Sequence, residues 1–379
     1  MPKIHLDIPN AYPEYSASWF ARAMHLSSMP DLSDQIDERL SRLSSIVTQR
    51  SIAAGRPLPP EAVSNDVKLI KESGLAAIKK LKEKGPDVQF AADETAAAES
   101  IVLIIERPAL LVYKGTFALA EAPWKEPLEH AADDINLRLP SIGRIEVVMN
   151  GVVQEVATGF LVGDDRVMTN RHVIKAIGTP TPDNSNAGNP TRWKINRNMR
   201  PQINFKAEYD PSNGVDESRV YPVVDEIMET HPDYPKIDMG LLRIDKTSPH
   251  SSGPVFQQKL GLASEPPDFT KSADVYVVGY PASDNQGAIP PAVMRSVFGG
   301  IFEVKRLSPG KIMNEFDDRV FAHDCSTLGG SSGSCVIDLR TQKVIGLHFQ
   351  GSYGKANYAV SLWRLKQDPL IKNAGLKYD

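Results

Sequence analysis

Apolar side chains recur every three or four positions along the front third of the chain, then gather beyond Pro140 into short runs broken by turn residues. The first texture is that of amphipathic helices and the second that of strands. After a candidate cap at Ser33, the residues Ile36, Leu40, Leu43, Ile46 and Val47 fall on one helical face. A second helix is predicted from near Pro59 and Pro60, with Val63, Val67, Ile70, Ile78 and Leu81 on one side. It ends in KKLKEKG, where lysines suit a helix C-terminus. A third starts near Asp93 and stops before Pro108, because proline cannot continue a helix and biases its predecessor away from one. A shorter helix is expected within Trp124 to Arg138. Residues 1–135 are therefore expected to be a helical N-terminal region, followed by a β-rich unit over 136–379.

In the second part RIEVVM and VVQEVATGFLV flank Asn150-Gly151, a strong two-residue hairpin turn. A turn at Gly163 to Asp165 precedes RVMTN, and similar runs follow at VYVVGY, SVFGGIFEV, SCVIDL, KVIGLHF and NYAVSL. No helical crossovers separate them, which predicts antiparallel sheets. Residues 178–200, rich in Pro, Asn and Gly, are expected to form a surface loop. No internal sequence repeat is visible.

A length of 379 residues suits two units, and 41% hydrophobic with 24% charged residues fits a folded globular chain. The formal charge of −4, without a long Lys/Arg block, speaks against a nucleic-acid partner. The longest aliphatic run, Ile101 to Ile105, is far short of the roughly 18 apolar residues a membrane span needs. The first residues lack the basic start and unbroken apolar run of a secretory signal. Cys325 and Cys335 are the only cysteines, which favours a reducing compartment, expected to be the cytoplasm, and small buried core residues rather than a disulfide.

Three segments carry chemistry. In STLGGSSGSCV, small residues on both sides of Ser332 let the backbone bend sharply and expose its hydroxyl. The amides of Gly330 and Ser332 are candidates for receiving the negative charge that develops on an attacked carbonyl oxygen. In TGFLVGDDRVMTNRHVI, His172 follows a predicted strand, and imidazole can take a proton from a serine and return it to a leaving amine near neutral pH. In HPDYPKIDMGLLRID, Asp238 borders the strand MGLLRI and is placed to orient that histidine; Asp233 and Asp245 are the local competitors.

Taken together, in the order histidine, aspartate, serine, these segments resemble the trypsin-like serine peptidases over roughly residues 140–365. TNRHV is similar to that family's histidine motif, IDMGLLRI to its aspartate strand, and GGSSGSCV to its nucleophile loop. The resemblance implies a mainly β fold of two antiparallel six-stranded barrels, the first over about 140–250 and the second over about 255–365. It implies an endopeptidase with His172, Asp238 and Ser332 as triad, acting on protein or peptide substrates and needing no metal or organic cofactor. Two departures matter. Ser331 stands where trypsin and its secreted relatives have an aspartate that pairs with a newly cleaved N-terminus, so that activation switch is missing, and Cys335 replaces the common proline. The loop also resembles that of bacterial glutamyl endopeptidases, STxGGxSGS followed by a GxH strand. That likeness places Thr327 and His348 in the pocket for the residue before the scissile bond, where Ser326 occupies the position of trypsin's aspartate. It implies cleavage after Glu, with Asp slower, and pairing of substrate backbone along His348 to Gly351.

Two other readings compete with this one. His323, Cys325, Cys335 and His348 could bind zinc, but Cys325 and Cys335 lack the usual knuckle spacing. A catalytically silent peptide-binding relative would not need all three triad side chains. Lacking the activation switch, such an enzyme needs another restraint, and the helical region could dock a regulatory protein or cover the cleft.

Overall fold

The computed structural model describes residues 60–85, 88–181, 190–196, 198–210, 212, 214–224, 228–233, 236–246, 258–283, 294, 297–352 and 356–379. The helix expected around Ile36 to Val47 lies outside these. Helices α1 (Pro60–Lys84) and α2 (Ala92–Ile105) match the second and third expected helices. Both bury apolar residues, Ile70, Ala77, Ile78 and Leu81 on α1 and Ala97, Ala98, Ile101 and Val102 on α2. The Lys80–Glu94 ion pair at 2.6 Å ties the two helices together. Beyond Pro108 the chain departs from the expected helical texture: strands Leu110–Tyr113 and Thr116–Phe117 form a hairpin, and the first of them pairs with the C-terminal barrel. Two short helices follow, α3 (Lys125–His130) and α4 (Ala132–Arg138). Leu110, Val112, Trp124, Leu128 and Ile135 all enter the central core, so these residues pack as part of the β-rich body.

Twelve strands of that body close into two rings. The first six are β1 (Ile142–Met149), β2 (Val152–Leu161), β3 (Arg166–Thr169), β4 (Pro201–Asn204), β5 (Val220–Pro222) and β6 (Gly240–Arg243). The second six are β7 (Asp274–Gly279), β8 (Arg306–Glu315), β9 (Val320–His323), β10 (Cys335–Asp338), β11 (Val344–Ser352) and β12 (Ala356–Ser361). The second set closes in the order β7-β8-β9-β12-β11-β10, with β7 paired to β8 along its whole length. The first set runs β5-β4-β1-β2-β3-β6 and closes between β5 and β6 through one bridge, Val223 to Ile244. Two hydrogen bonds flank that bridge, from the amides of Val224 and Asp245. Both are thus antiparallel six-stranded barrels with the same ring order, a repeat of topology without a repeat of sequence.

Strand alternation divides the core. Odd residues of β7, Val275 and Val277, line the second barrel's interior with Ile312, Phe321 and Val336. Even residues, Tyr276 and Val278, face a cluster shared with Ile142, Phe160, Met168 and Leu241 of the first barrel. Ile145, Leu161, Val167 and Leu242 fill the first barrel. Strands buried on both faces read as unbroken apolar runs, which explains VYVV; in IEVV the buried Glu146 is instead paired with Arg144 at 2.7 Å.

Two expectations are corrected. SVFGGIFEV is not a strand: Val297 and Phe298 are helical, Gly299 and Gly300 follow with φ of +62° and +68°, and the strand is Arg306–Glu315. The segment expected as a surface loop over 178–200 carries two strands, Gly178–Pro180 and Thr191–Ile195, which extend the first sheet. Pro180 is tolerated there because that strand lies at the sheet edge.

Candidate active site

Register brings the histidine and the aspartate together. β3 pairs with β6 so that Thr169 faces Gly240, which leaves Asn170 to His172 and Asp238 at the same end of the two strands. Helix α5 (Arg171–Ile177) starts there. The backbone amide of His172 donates to Asp238 Oδ1 at 3.0 Å, and His172 Nδ1 lies 2.6 Å from Oδ2. Asp238 is only 4% exposed. An ionised carboxylate can only accept, so the proton sits on Nδ1 and Nε2 keeps its lone pair. Asn170 Nδ2 donates to the Asp238 carbonyl at 2.8 Å, fixing the backbone behind the carboxylate. Of the competitors, Asp233 pairs with Arg319 at 2.6 Å and Asp245 follows the barrel seam.

Ser332 lies across the barrel junction in a loop held by the first barrel. Its carbonyl accepts from the Thr158 amide at 2.9 Å, and Thr158 Oγ1 donates to the Gly330 carbonyl at 2.8 Å. Gly333 has a φ of +86°, and a side chain there would collide with the Thr158 carbonyl and Thr169 Oγ1. Only glycine lets the loop of Ser332 approach the strand that leads into His172. No hydrogen bond joins Ser332 to His172 among the described residues; such contacts commonly tighten only with substrate bound.

The amides of the loop divide cleanly. Ser331 donates to Leu328 O, Gly333 to His348 O and Ser334 to Ser331 O, whereas among the described residues those of Gly330 and Ser332 donate to no protein group. The Gly329 carbonyl accepts from the Ala282 amide at 2.5 Å, which turns the Gly329–Gly330 peptide so that its N–H points the opposite way.

The second group of predicted residues gathers beside β11 and β12. Thr327 Oγ1 donates to Asn357 Oδ1 at 2.6 Å, and Asn357 Nδ2 donates to the Cys325 carbonyl at 2.6 Å. Gly351 faces Asn357 in register, and a side chain at Gly351 would meet both Asn357 Oδ1 and Thr327 Oγ1. His348 is buried, with Nδ1 at 3.3 Å from His323 Nε2. Burial, with the His172 ring as a second cause, pulls His348 down to about 3, and burial holds His323 well below the ordinary histidine value. Both rings are uncharged at neutral pH.

Thr158 and Asn357 carry no local sequence signal, since their roles depend on which loop lies across the barrel junction or the ladder. Ala282 acts through its backbone, which sequence cannot mark. Among the described residues no three His, Cys, Asp or Glu side chains form a metal-binding group, and Cys325 and Cys335 are both buried with free thiols.

Two six-stranded barrels of one ring order, with His172 held by a buried carboxylate on the first and Ser332 on a loop of the second, define the double-barrel fold class. Residues 157–347, just over half of the chain, match the trypsin-like peptidase domain, and the chain belongs to that family as a serine endopeptidase. It is 28% identical to a probable serine protease of Lysobacter enzymogenes over 73% of this chain and 75% of that protein. It is also 28% identical to a glutamyl endopeptidase of Staphylococcus epidermidis, over 57% of this chain and 61% of that protein. A solved M. tuberculosis protease in its active form aligns with a TM-score of 0.39 and 18% identity, over 64% of this chain and 85% of that one. Among the described residues no helix is long and apolar enough to cross a membrane.

Proposed function

We propose that Ser332 attacks the substrate carbonyl carbon while its proton passes to His172 Nε2, with Asp238 holding the ring and stabilising its charged form. The oxyanion is received by the amides of Gly330 and Ser332. The C–N bond then breaks, His172 returns the proton to the leaving amine, and water hydrolyses the acyl-enzyme by the same path. The observation that carries this reading is the pair of uncommitted amides at 330 and 332, separated and followed by committed ones, beside a histidine already oriented by a buried carboxylate. The test is intact-mass spectrometry after a fluorophosphonate probe. One adduct mapping to Ser332, absent in Ser332→Ala and strongly slowed in His172→Ala, is expected. An unlabelled wild-type protein would overturn it.

The finer reading is cleavage after Glu, with Asp slower. It is supported by Thr327 and Gly351 meeting at Asn357, by His348 lying against His323, the register partner of Asn357, and by the similarity to a protein named as a glutamyl endopeptidase. In the tautomer where His323 Nε2–H donates to His348 Nδ1, His348 Nε2 carries a hydrogen for a substrate carboxylate without any net charge. The Thr327 hydroxyl would turn from Asn357 to the same group. A peptide-library digest is expected to show mainly Glu before the cut; mainly Arg or Leu there would sink the assignment.

Residues 1–135 form, on this reading, the part through which a regulatory protein acts. Buried thiols at Cys325 and Cys335 fit a reducing compartment such as the cytoplasm.

A further inference from the structure

Helix α2 ends at Ile105, and Glu106 caps it by donating its amide to the Val102 carbonyl. The Glu106 carbonyl in turn accepts from Trp124 Nε1 at 2.5 Å. The next residue reaches the second barrel twice. Arg107 Nη2 lies 2.9 Å from Asp324 Oδ2, with the two side chains only 13% and 15% exposed, and the Arg107 carbonyl accepts from Ser326 Oγ at 2.6 Å. Asp324 Oδ1 accepts from the Lys311 amide at 2.6 Å, so the carboxylate is locked to β8 as well. The stitching continues through Ala109, whose carbonyl accepts from Arg306 Nη1 at 2.6 Å, into the pairing of Leu110 with Leu307.

Residues 324–327 are the stretch that carries Thr327. On its inner side Asn357 holds the stretch through the Cys325 carbonyl and the Thr327 hydroxyl. On its outer side the holding groups are those of Arg107. The residue before the nucleophile cannot supply a charged anchor, because it is Ser331, whose hydroxyl accepts from the Leu328 amide at 3.3 Å.

We propose that Arg107 is a positioning residue for the specificity pocket, an ionic strut by which the end of the N-terminal helical pair sets the place of the wall 324–327. The inference rests on the reading of that wall as part of the substrate pocket. A strut one residue beyond a helix cap transmits any displacement of α1 and α2 to Thr327 without passing through Ser332, His172 or Asp238. The N-terminal helices therefore control substrate binding rather than the chemical step.

The test uses the full chain as Arg107→Ala, Arg107→Lys and Asp324→Asn. Peptide kcat and KM are measured alongside the rate at which a small fluorophosphonate, which needs no pocket, labels Ser332. Arg107→Ala is expected to raise KM about tenfold, the usual scale for a largely buried charge-assisted contact, with kcat and labelling within about twofold of wild type. Lysine should restore most of the loss. Adding Asp324→Asn to Arg107→Ala should cost little more, because the two act as one pair. An unchanged KM in Arg107→Ala overturns the proposal. So does a labelling rate that falls in parallel with peptide binding, which would mark a general structural role. Failure of the wild type to label would instead overturn the assignment of Ser332 itself.

Discussion

At the scale of single residues, Thr158 joins the two halves of the site. Its amide and hydroxyl hold the carbonyls of Ser332 and Gly330, its carbonyl accepts from Thr169 Oγ1 at 2.8 Å, and its hydroxyl oxygen accepts from the Tyr280 amide at 3.2 Å. Thr158→Val keeps the shape and removes the hydroxyl, leaving the half-buried Gly330 carbonyl and the buried Tyr280 amide without it. We expect a loss of roughly 1–3 kcal/mol in chemical denaturation and a fall in kcat of about ten- to a hundredfold, with KM nearly constant, as oxyanion donors drift from their aim. A kcat within twofold of wild type would show that the loop keeps its aim without Thr158. The proposed triad residues, His172, Asp238 and Ser332, are legible in sequence because each sits in a short motif of distinctive residues. Thr158, Asn357 and His323 could not, since what matters for them is the neighbour that register and barrel packing bring up. His323 was visible only as a possible zinc ligand, whereas its contact is the ring of His348.

At the scale of elements, the loop between the strand Met228–Thr230 and β6 bears Asp238 and is braced from behind. The His231 amide donates to the Met239 carbonyl at 2.9 Å, and Arg171 Nη1 donates to the His231 carbonyl at 3.0 Å, so the flanks of both Asp238 and His172 meet there. His231 Nδ1 accepts from the Asp233 amide, which places the ring hydrogen on Nε2, 2.6 Å from Asp368 Oδ2. Asp368 Oδ1 also accepts from the Leu370 amide and caps helix α6 (Pro369–Asn373). One carboxylate thus ties the C-terminal helix to the loop that bears Asp238. Asp368→Ala should cost about 1–3 kcal/mol by losing a cap and stranding a buried histidine donor, and Asp368→Asn markedly less; equal losses in urea denaturation would refute the shared role. Strand positions were legible where apolar residues alternate or run unbroken. They were hidden in RLSPGKIMNE, whose Ser-Pro-Gly centre reads as a turn although Pro309 pairs with Tyr276. Conversely, the apolar SVFGGIFEV reads as a strand, and left-handed backbone at Gly299, Gly300 and Glu303 breaks it.

At the scale of the whole molecule, Lys305 joins three parts. It is fully buried, donating to the carbonyls of Leu139 and Phe205 at 2.9 and 2.8 Å, and 3.4 Å from Glu208, whose other oxygen accepts from Gly115 of the N-terminal hairpin. Burial lowers its ammonium to about 8 against the pull of Glu208. An unfolded lysine keeps its proton to about 10.4, so between these values the unfolded chain binds more protons and stability rises with pH. The urea midpoint of the wild type should therefore climb from pH 8 to about 10 relative to Lys305→Met; parallel profiles would refute the burial of a charged lysine. Two like barrels could be expected only from the family resemblance, because the halves share ring order and no detectable sequence. The rings also differ in how they shut. The second is sealed by the full β7–β8 ladder, the first by Val223 and Ile244 alone among the described residues. A zip with one tooth opens first. Breathing of the molecule should start at that seam, with the amides of Val224 and Asp245 exchanging ahead of the β7–β8 ladder. Each opening would travel along β6 toward Asp238, so intermittent slackness in one barrel becomes intermittent silence in the enzyme.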